Sequence, residues 1–200
     1  MGLSGCGGSA EQGGGEPTGS FPVQVTTARF PAAQTLSEHT QLVITVRNAG
    51  TKAIPNIAVT LLNPLYGTAA QAFGTLIAAN GPGQPALASR SRPVWVVDQA
   101  PGPCGYSCHQ GGPGAAVTAY SNTWAMGRLA PGATARFDWH VTAVAPGNYT
   151  VDYQVAAGLS GKAKAVLSGG GPVAGSFKVT ISNQPRQAYV NNAGQIVYSK

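Results

Sequence analysis

Residues 129–157 read LAPGATARFDWHVTAVAPGNYTVDYQVAA, and this stretch decides the fold. Phe137, Trp139, Val141 and Ala143 alternate with Arg136, Asp138, His140 and Thr142. After Ala145-Pro146-Gly147-Asn148 the period resumes: Tyr149, Val151, Tyr153 and Val155 alternate with Thr150, Asp152 and Gln154. Alternation of this kind marks strands with one face buried and one face wet. Leu129-Ala130-Pro131-Gly132 and Pro146-Gly147-Asn148 supply turns, because Pro fixes φ and Gly or Asn accepts positive φ. The spacing predicts a long antiparallel hairpin with an aromatic-rich buried face. Its polar face would set His140 opposite Asp152 and carry Asp138 beside Asp152, a solvated surface arrangement rather than a catalytic one.

The same period recurs outward from this stretch. Val23 and Val25, then Leu42, Ile44 and Val46, then Ile57, Val59 and Leu61, and finally Phe177, Val179 and Ile181 repeat it, with mostly polar residues between them except in the third run, where Ala58, Thr60 and Leu62 alternate. Asn48-Ala49-Gly50-Thr51 turns the chain between the second and third of these runs. Trp139 is expected in the core by its phase, and Trp124 with it. Trp95 is out of phase with Val94 and Val96, which makes it the tryptophan expected at the surface, beside Arg90 and Arg92. The fold class expected is all-β: an immunoglobulin-like antiparallel sandwich of about seven strands.

Residues 1–20 read as a terminal motif and a Gly-rich tether, 21–182 as the sandwich, and 183–200 as a C-terminal extension. An insertion at 63–116 interrupts the sandwich and is far longer than an ordinary strand connection. Within it Pro93-Val94-Trp95-Val96-Val97 can pair as a strand, Ala69 to Ile77 suits a short helix or turn, and the rest is Gly/Pro-rich loop. In the extension, Ala188-Tyr189-Val190 and Gln195-Ile196-Val197-Tyr198 flank Asn191-Asn192-Ala193-Gly194, a small hairpin able to add to a sheet edge.

Composition narrows the function classes. Of the 200 residues 43% are hydrophobic and only 9% charged, with 28 Gly and 15 Pro, so a core is available and helices are disfavoured. The net charge of +6 reflects scarce acids rather than dense bases. The basic residues are scattered, without the stripe or the interleaved aromatics of a nucleic-acid binder, so no nucleic-acid partner is expected. A weak attraction to anionic headgroups or wall polymers fits better.

Leu3-Ser4-Gly5-Cys6 resembles the lipobox of bacterial lipoproteins, with Cys6 as the lipidated residue and the Gly-rich stretch after it as a flexible spacer. Only Met1 and Gly2 precede it, whereas an export signal needs a basic and an apolar segment. An in-frame leader upstream of Met1 is therefore expected. This reading places the protein outside the cytoplasm, held on the outer face of the cell membrane by the lipid on Cys6.

Val46-Arg47-Asn48-Ala49-Gly50, Ile54-Pro55-Asn56-Ile57, Leu129-Ala130-Pro131-Gly132 and Pro146-Gly147-Asn148-Tyr149-Thr150-Val151 together resemble bacterial CARDB-type immunoglobulin-like domains. The resemblance covers about 21–62 and 117–182, and the general look is that of secreted proteins from high-GC Gram-positive bacteria. It implies a sandwich fold, a surface location and no catalytic residues. It sets Tyr149 where a tyrosine corner is expected.

Cys104-Gly105-Tyr106-Ser107-Cys108-His109 is the one dense cluster of chemistry. Outside the cytoplasm Cys104 and Cys108 most simply form a disulfide. A copper or zinc site on Cys104, Cys108 and His109 is the alternative, with no evident fourth ligand. Haem attachment wants one residue fewer between the cysteines. No Gly-x-Ser-x-Gly elbow is present, the histidines lie far apart in sequence, and the carboxylates are too few for a glycosidase pair. No catalytic residue and no cofactor are expected. The expected role is a non-catalytic binding or structural module for a protein or cell-wall polymer partner, with Trp95, Arg90, Arg92 and Tyr106 as its binding surface. A metal- or redox-active envelope protein is the alternative.

Overall fold

A computed structural model describes residues 15–62, 73–75, 93–102, 122–185 and 187–198. Among them every regular element is a strand: β1 (Gly19–Arg29), β2 (Ala33–Leu36), β3 (His39–Asn48), β4 (Ala58–Leu62), β5 (Phe73–Thr75), β6 (Trp95–Gln99), β7 (Thr123–Ala125), β8 (Thr134–Ala143), β9 (Gly147–Ala156), β10 (Ala163–Val166), β11 (Val173–Pro185), β12 (Ala188–Val190) and β13 (Ile196–Tyr198). A six-stranded sheet, β10-β1-β3-β8-β6-β5, faces a five-stranded one, β2-β11-β9-β4-β7. The fold is an all-β immunoglobulin-like sandwich with more strands than the repeat of apolar runs suggests. The short strands β2, β5, β7 and β10 sit on sheet edges, where few residues suffice to pair.

The period-two residues do what their spacing predicts. Leu42, Ile44 and Val46 of β3, Phe137, Trp139 and Val141 of β8, and Val151 and Val155 of β9 all point into one shared core. Each fully buried aliphatic or aromatic side chain contributes about 1.5–3 kcal/mol. Rings bridge the two sheets. Trp124 of β7 meets Trp139 of β8 edge-on at 5.4 Å, and Trp95 of β6 meets Tyr149 of β9 edge-on at 5.5 Å.

β8 and β9 do not form the expected hairpin. β8 pairs with β3 and β6, whereas β9 pairs with β11 and β4. The segment Ala143–Gly147 arches from one sheet to the other, so the two apolar faces meet across the core. The polar faces then point to opposite sides of the molecule, which separates Asp152 from both Asp138 and His140. The Tyr149 hydroxyl fastens this arch by donating to the Pro146 carbonyl at 2.9 Å, the tyrosine corner the sequence anticipates.

The Asn48–Thr51 turn also links sheets rather than neighbouring strands, since β3 and β4 lie in different ones. Asn48 is buried, 1% exposed, and acts as a staple there. Its side-chain amide donates to the carbonyls of Lys52 at 2.9 Å and Leu129 at 3.0 Å, while its Oδ1 accepts from Gly50 N–H at 3.0 Å. Gly132, with φ of +73°, completes the facing Pro131-Gly132 turn and donates its N–H to the Asn48 carbonyl.

Residues 73–75, read as part of a helix or turn, are a strand parallel to β6. The C-terminal hairpin forms, but as a separate two-stranded sheet, not as an addition to a sandwich edge. Residues before 21 already bond to the sandwich. The Glu16 carboxylate accepts hydrogen bonds from Leu159 N–H (2.8 Å), Ser160 N–H (3.0 Å) and Ser160 Oγ–H (2.9 Å), and β1 starts at Gly19.

Gly175 of β11 lies across from Tyr153 of β9, whose ring covers it, and burial pushes the Tyr153 phenol above its ordinary pKa. A Cβ at 175 would meet the ring at 2.5 Å. Gly175→Ala is expected to lower unfolding free energy by about 1–3 kcal/mol through overpacking, read by urea denaturation. A stability unchanged by the added methyl would mean the Tyr153 ring does not rest on Gly175.

Candidate functional site

The wet face of the six-stranded sheet brings together side chains from distant parts of the chain. In the β3–β8 ladder His39 lies across from Thr142, Gln41 from His140 and Val43 from Asp138. Asp98 faces out by alternation with Val96, and the β6–β8 pairing slips between Val97 and Gln99, a bulge that brings Gln99 onto the same face. Asp98 Oδ2 accepts from Thr142 Oγ–H at 2.6 Å and lies 3.2 Å from His39 Nδ1, while Thr142 Oγ lies 2.8 Å from that same nitrogen. Beside them the Gln41 amide nitrogen is 3.2 Å from His140 Nε2. His39, Thr40, Gln41, Asp98, Gln99 and His140 line an open depression of about 340 Å³.

Thr142 spends its proton on Asp98, so His39 Nδ1 is left as the donor to the carboxylate. That assignment fixes the neutral ring as the Nδ1–H tautomer and leaves a lone pair on Nε2. The unit resembles the His–carboxylate half of a catalytic triad, yet its hydroxyl meets the wrong nitrogen. A nucleophile must face Nε2 while the carboxylate holds Nδ1. Here Thr142 and Asp98 both sit at Nδ1.

On the other side of His140, Asp138 takes Arg136 at 2.9 Å in an exposed pair. Such pairs contribute about 0–1 kcal/mol. Asp138 Oδ1 is buried without a hydrogen-bond partner, 3.9 Å from His140 Nε2.

Trp95 does not belong to a binding surface. It is fully buried, stacked on Phe73 at 5.2 Å and against Phe30 at 5.3 Å, and its indole N–H donates to buried Gln34 Oε1 at 2.8 Å. Its phase misleads because Val94 precedes the strand: within β6, Trp95 and Val97 face inward while Val96 and Asp98 face out. The remaining sequence candidates, Cys6, Arg90, Arg92, Cys104, Tyr106, Cys108 and His109, lie outside the described residues.

The grouping of His39, Asp98 and His140 was missed in the sequence, where 101 positions separate the first from the last. One signal was present: His39 and His140 both occupy polar phases of strongly alternating runs, so each had to lie on a sheet's wet face.

No protein-family model matches the chain, and no curated protein matches it. Among solved structures it is similar to the CARDB domain of a Pyrococcus furiosus protein determined in solution, at 12% identity and a TM-score of 0.42, covering 82% of this chain and 95% of that one. It is also similar to native alpha-2-macroglobulin from Escherichia coli, at 13% identity and a TM-score of 0.41, covering 87% of this chain and 20% of that one. A third is the cupredoxin domain of amoB from Nitrosocaldus yellowstonii, at 9% identity and a TM-score of 0.39, covering 82% and 89%. At such identities the likeness concerns the fold alone; the sandwich rests on the ladders and core described above.

Proposed function

We propose that this chain is a lipid-anchored, extracytoplasmic immunoglobulin-like module with a non-catalytic binding or structural role at the cell surface. The observation that carries the non-catalytic reading is the His39 geometry: the sole His–Asp–hydroxyl grouping among the described residues turns its hydroxyl to the nitrogen that the carboxylate already holds. The core between the sheets is filled by packed side chains, which supports a domain that works through its outer faces. The anchoring reading is supported by Leu3-Ser4-Gly5-Cys6 and by the Gly-rich stretch that leads to Glu16, where the domain takes hold. No helix of the described residues is long and apolar enough to cross a membrane. Two acyl chains would place about thirty methylenes in the bilayer at about 0.8 kcal/mol each, a durable hold.

Expression of the chain with its native upstream sequence, followed by fractionation and intact-mass analysis, tests this. The expected result is a membrane-bound protein carrying a diacylglycerol mass on Cys6, with Cys6→Ser shifting at least nine-tenths of it to the soluble fraction. An unmodified Cys6, or a Cys6→Ser protein that stays membrane-bound, would overturn the anchoring.

A further inference from the structure

We propose that the wet face of the six-stranded sheet binds one divalent transition-metal ion between His39 and His140, with Asp98 as the positioning residue for His39. The inference rests on this face alone and does not depend on the lipid anchor.

Register sets the span. His39 and His140 lie on adjacent strands, offset diagonally, because His39 is across from Thr142 and Gln41 across from His140. Diagonal neighbours on one face stand about 7–8 Å apart, within reach of long side chains. Two imidazoles at this separation can turn their rings toward one ion at about 2.0–2.1 Å from each nitrogen.

Tautomers set the donors. A metal-binding histidine normally gives its other ring N–H to a carboxylate, which orients the ring and raises its basicity. His39 already does so: Nδ1 faces Asp98 Oδ2 at 3.2 Å, and Thr142 holds that oxygen at 2.6 Å. His140 accepts from the Gln41 amide through Nε2, so an ion would take that lone pair in place of the Gln41 N–H. His39 is 80% exposed along its side chain, so its ring can swing without disturbing the core.

The ligand count sets the metal class. No three His, Cys, Asp or Glu side chains among the described residues converge on one point. The protein therefore supplies two nitrogens, and water completes the sphere in the depression of about 340 Å³. Imidazole suits copper, nickel and zinc, and affinity should peak at Cu²⁺. The charged groups around the pair are Asp98 on β6 and Asp138 with Arg136 on β8. The two carboxylates favour a bound cation, and Arg136 is already engaged by Asp138.

The test is Cu²⁺ and Zn²⁺ titration of the full chain, followed by calorimetry and by amide NMR. Substoichiometric Cu²⁺ should broaden the amides of residues 39–41, 98–99 and 140–142 before others. His39→Ala and His140→Ala should each weaken binding at this face at least tenfold. Asp98→Asn should weaken it less and shift the visible absorption band of the bound Cu²⁺, which a purely structural role would not do. Both histidines are solvent-facing, so circular dichroism should show all three variants folded. Broadening elsewhere, or affinity unchanged in both histidine variants, would overturn the site. So would binding that disappears only on Cys104→Ser, which would put the ion at the cysteine loop.

Discussion

Trp95→Ala is expected to remove most of the stability of this domain. Large aromatic deletions in a packed core cost about 3–5 kcal/mol, and native domains have only about 5–15 kcal/mol to lose. Trp95 touches three rings, Phe30, Phe73 and Tyr149, and joins β6 of one sheet to the start of β9 in the other. Its loss also strands Gln34, which is 3% exposed and whose Oε1 accepts from the indole N–H at 2.8 Å. An orphaned buried acceptor adds about 1–3 kcal/mol. Trp95→Phe separates the two terms: it keeps most of the packing and loses only the hydrogen bond, so about 1–3 kcal/mol should go. Thermal unfolding with denaturant titration reads both. An alanine variant within about 1 kcal/mol of the parent protein, the result for an exposed residue, would return Trp95 to the surface.

Asn48→Asp should be nearly as damaging at neutral pH, although it changes almost no volume. The Asn48 amide nitrogen points at two carbonyl oxygens, of Lys52 at 2.9 Å and Leu129 at 3.0 Å. A carboxylate there presents an unpaired buried charge to two acceptors, at a cost of about 3–5 kcal/mol. The fold would raise the new carboxyl's pKa above its unfolded value of about 3.9. The sign follows from linkage. Below the unfolded pKa the acid is neutral in both states and the charge penalty vanishes. Above the folded pKa the penalty is full. The gap from the parent should therefore narrow as pH falls from 7 toward 4. Asn48→Ala, which removes the bonds without adding charge, should cost about 1–3 kcal/mol with little pH dependence. An aspartate variant whose deficit does not vary with pH would show that position 48 is solvated.

Both predictions concern places where the sequence was legible only in part. Asn48-Ala49-Gly50 announced a turn, and Leu129-Ala130-Pro131-Gly132 another. That one side chain would bind the first turn to the second could not be read, because the partners are backbone carbonyls and every residue carries one. Trp95 was misread because a single extended valine before the strand broke the local phase. The bulge before Gln99 was invisible for a related reason: an inserted residue changes which way the next side chain points without changing its neighbours in sequence.

The sequence by itself determined that the long alternating runs are strands, which side of each of those runs faces inward, and that aromatic rings fill the middle. Alternation requires this, since a buried face must be apolar at every second position. Only the tertiary structure decided which strands are neighbours. The run from Phe137 to Val155 has the same pattern whether Pro146-Gly147 closes a hairpin within one sheet or an arch between two. Burial is satisfied either way, and the choice falls to long-range pairing of β8 with β3 and β9 with β11. That pairing separates His140 from Asp152 and sets it on one face with His39 and Asp98, where the three line a single depression.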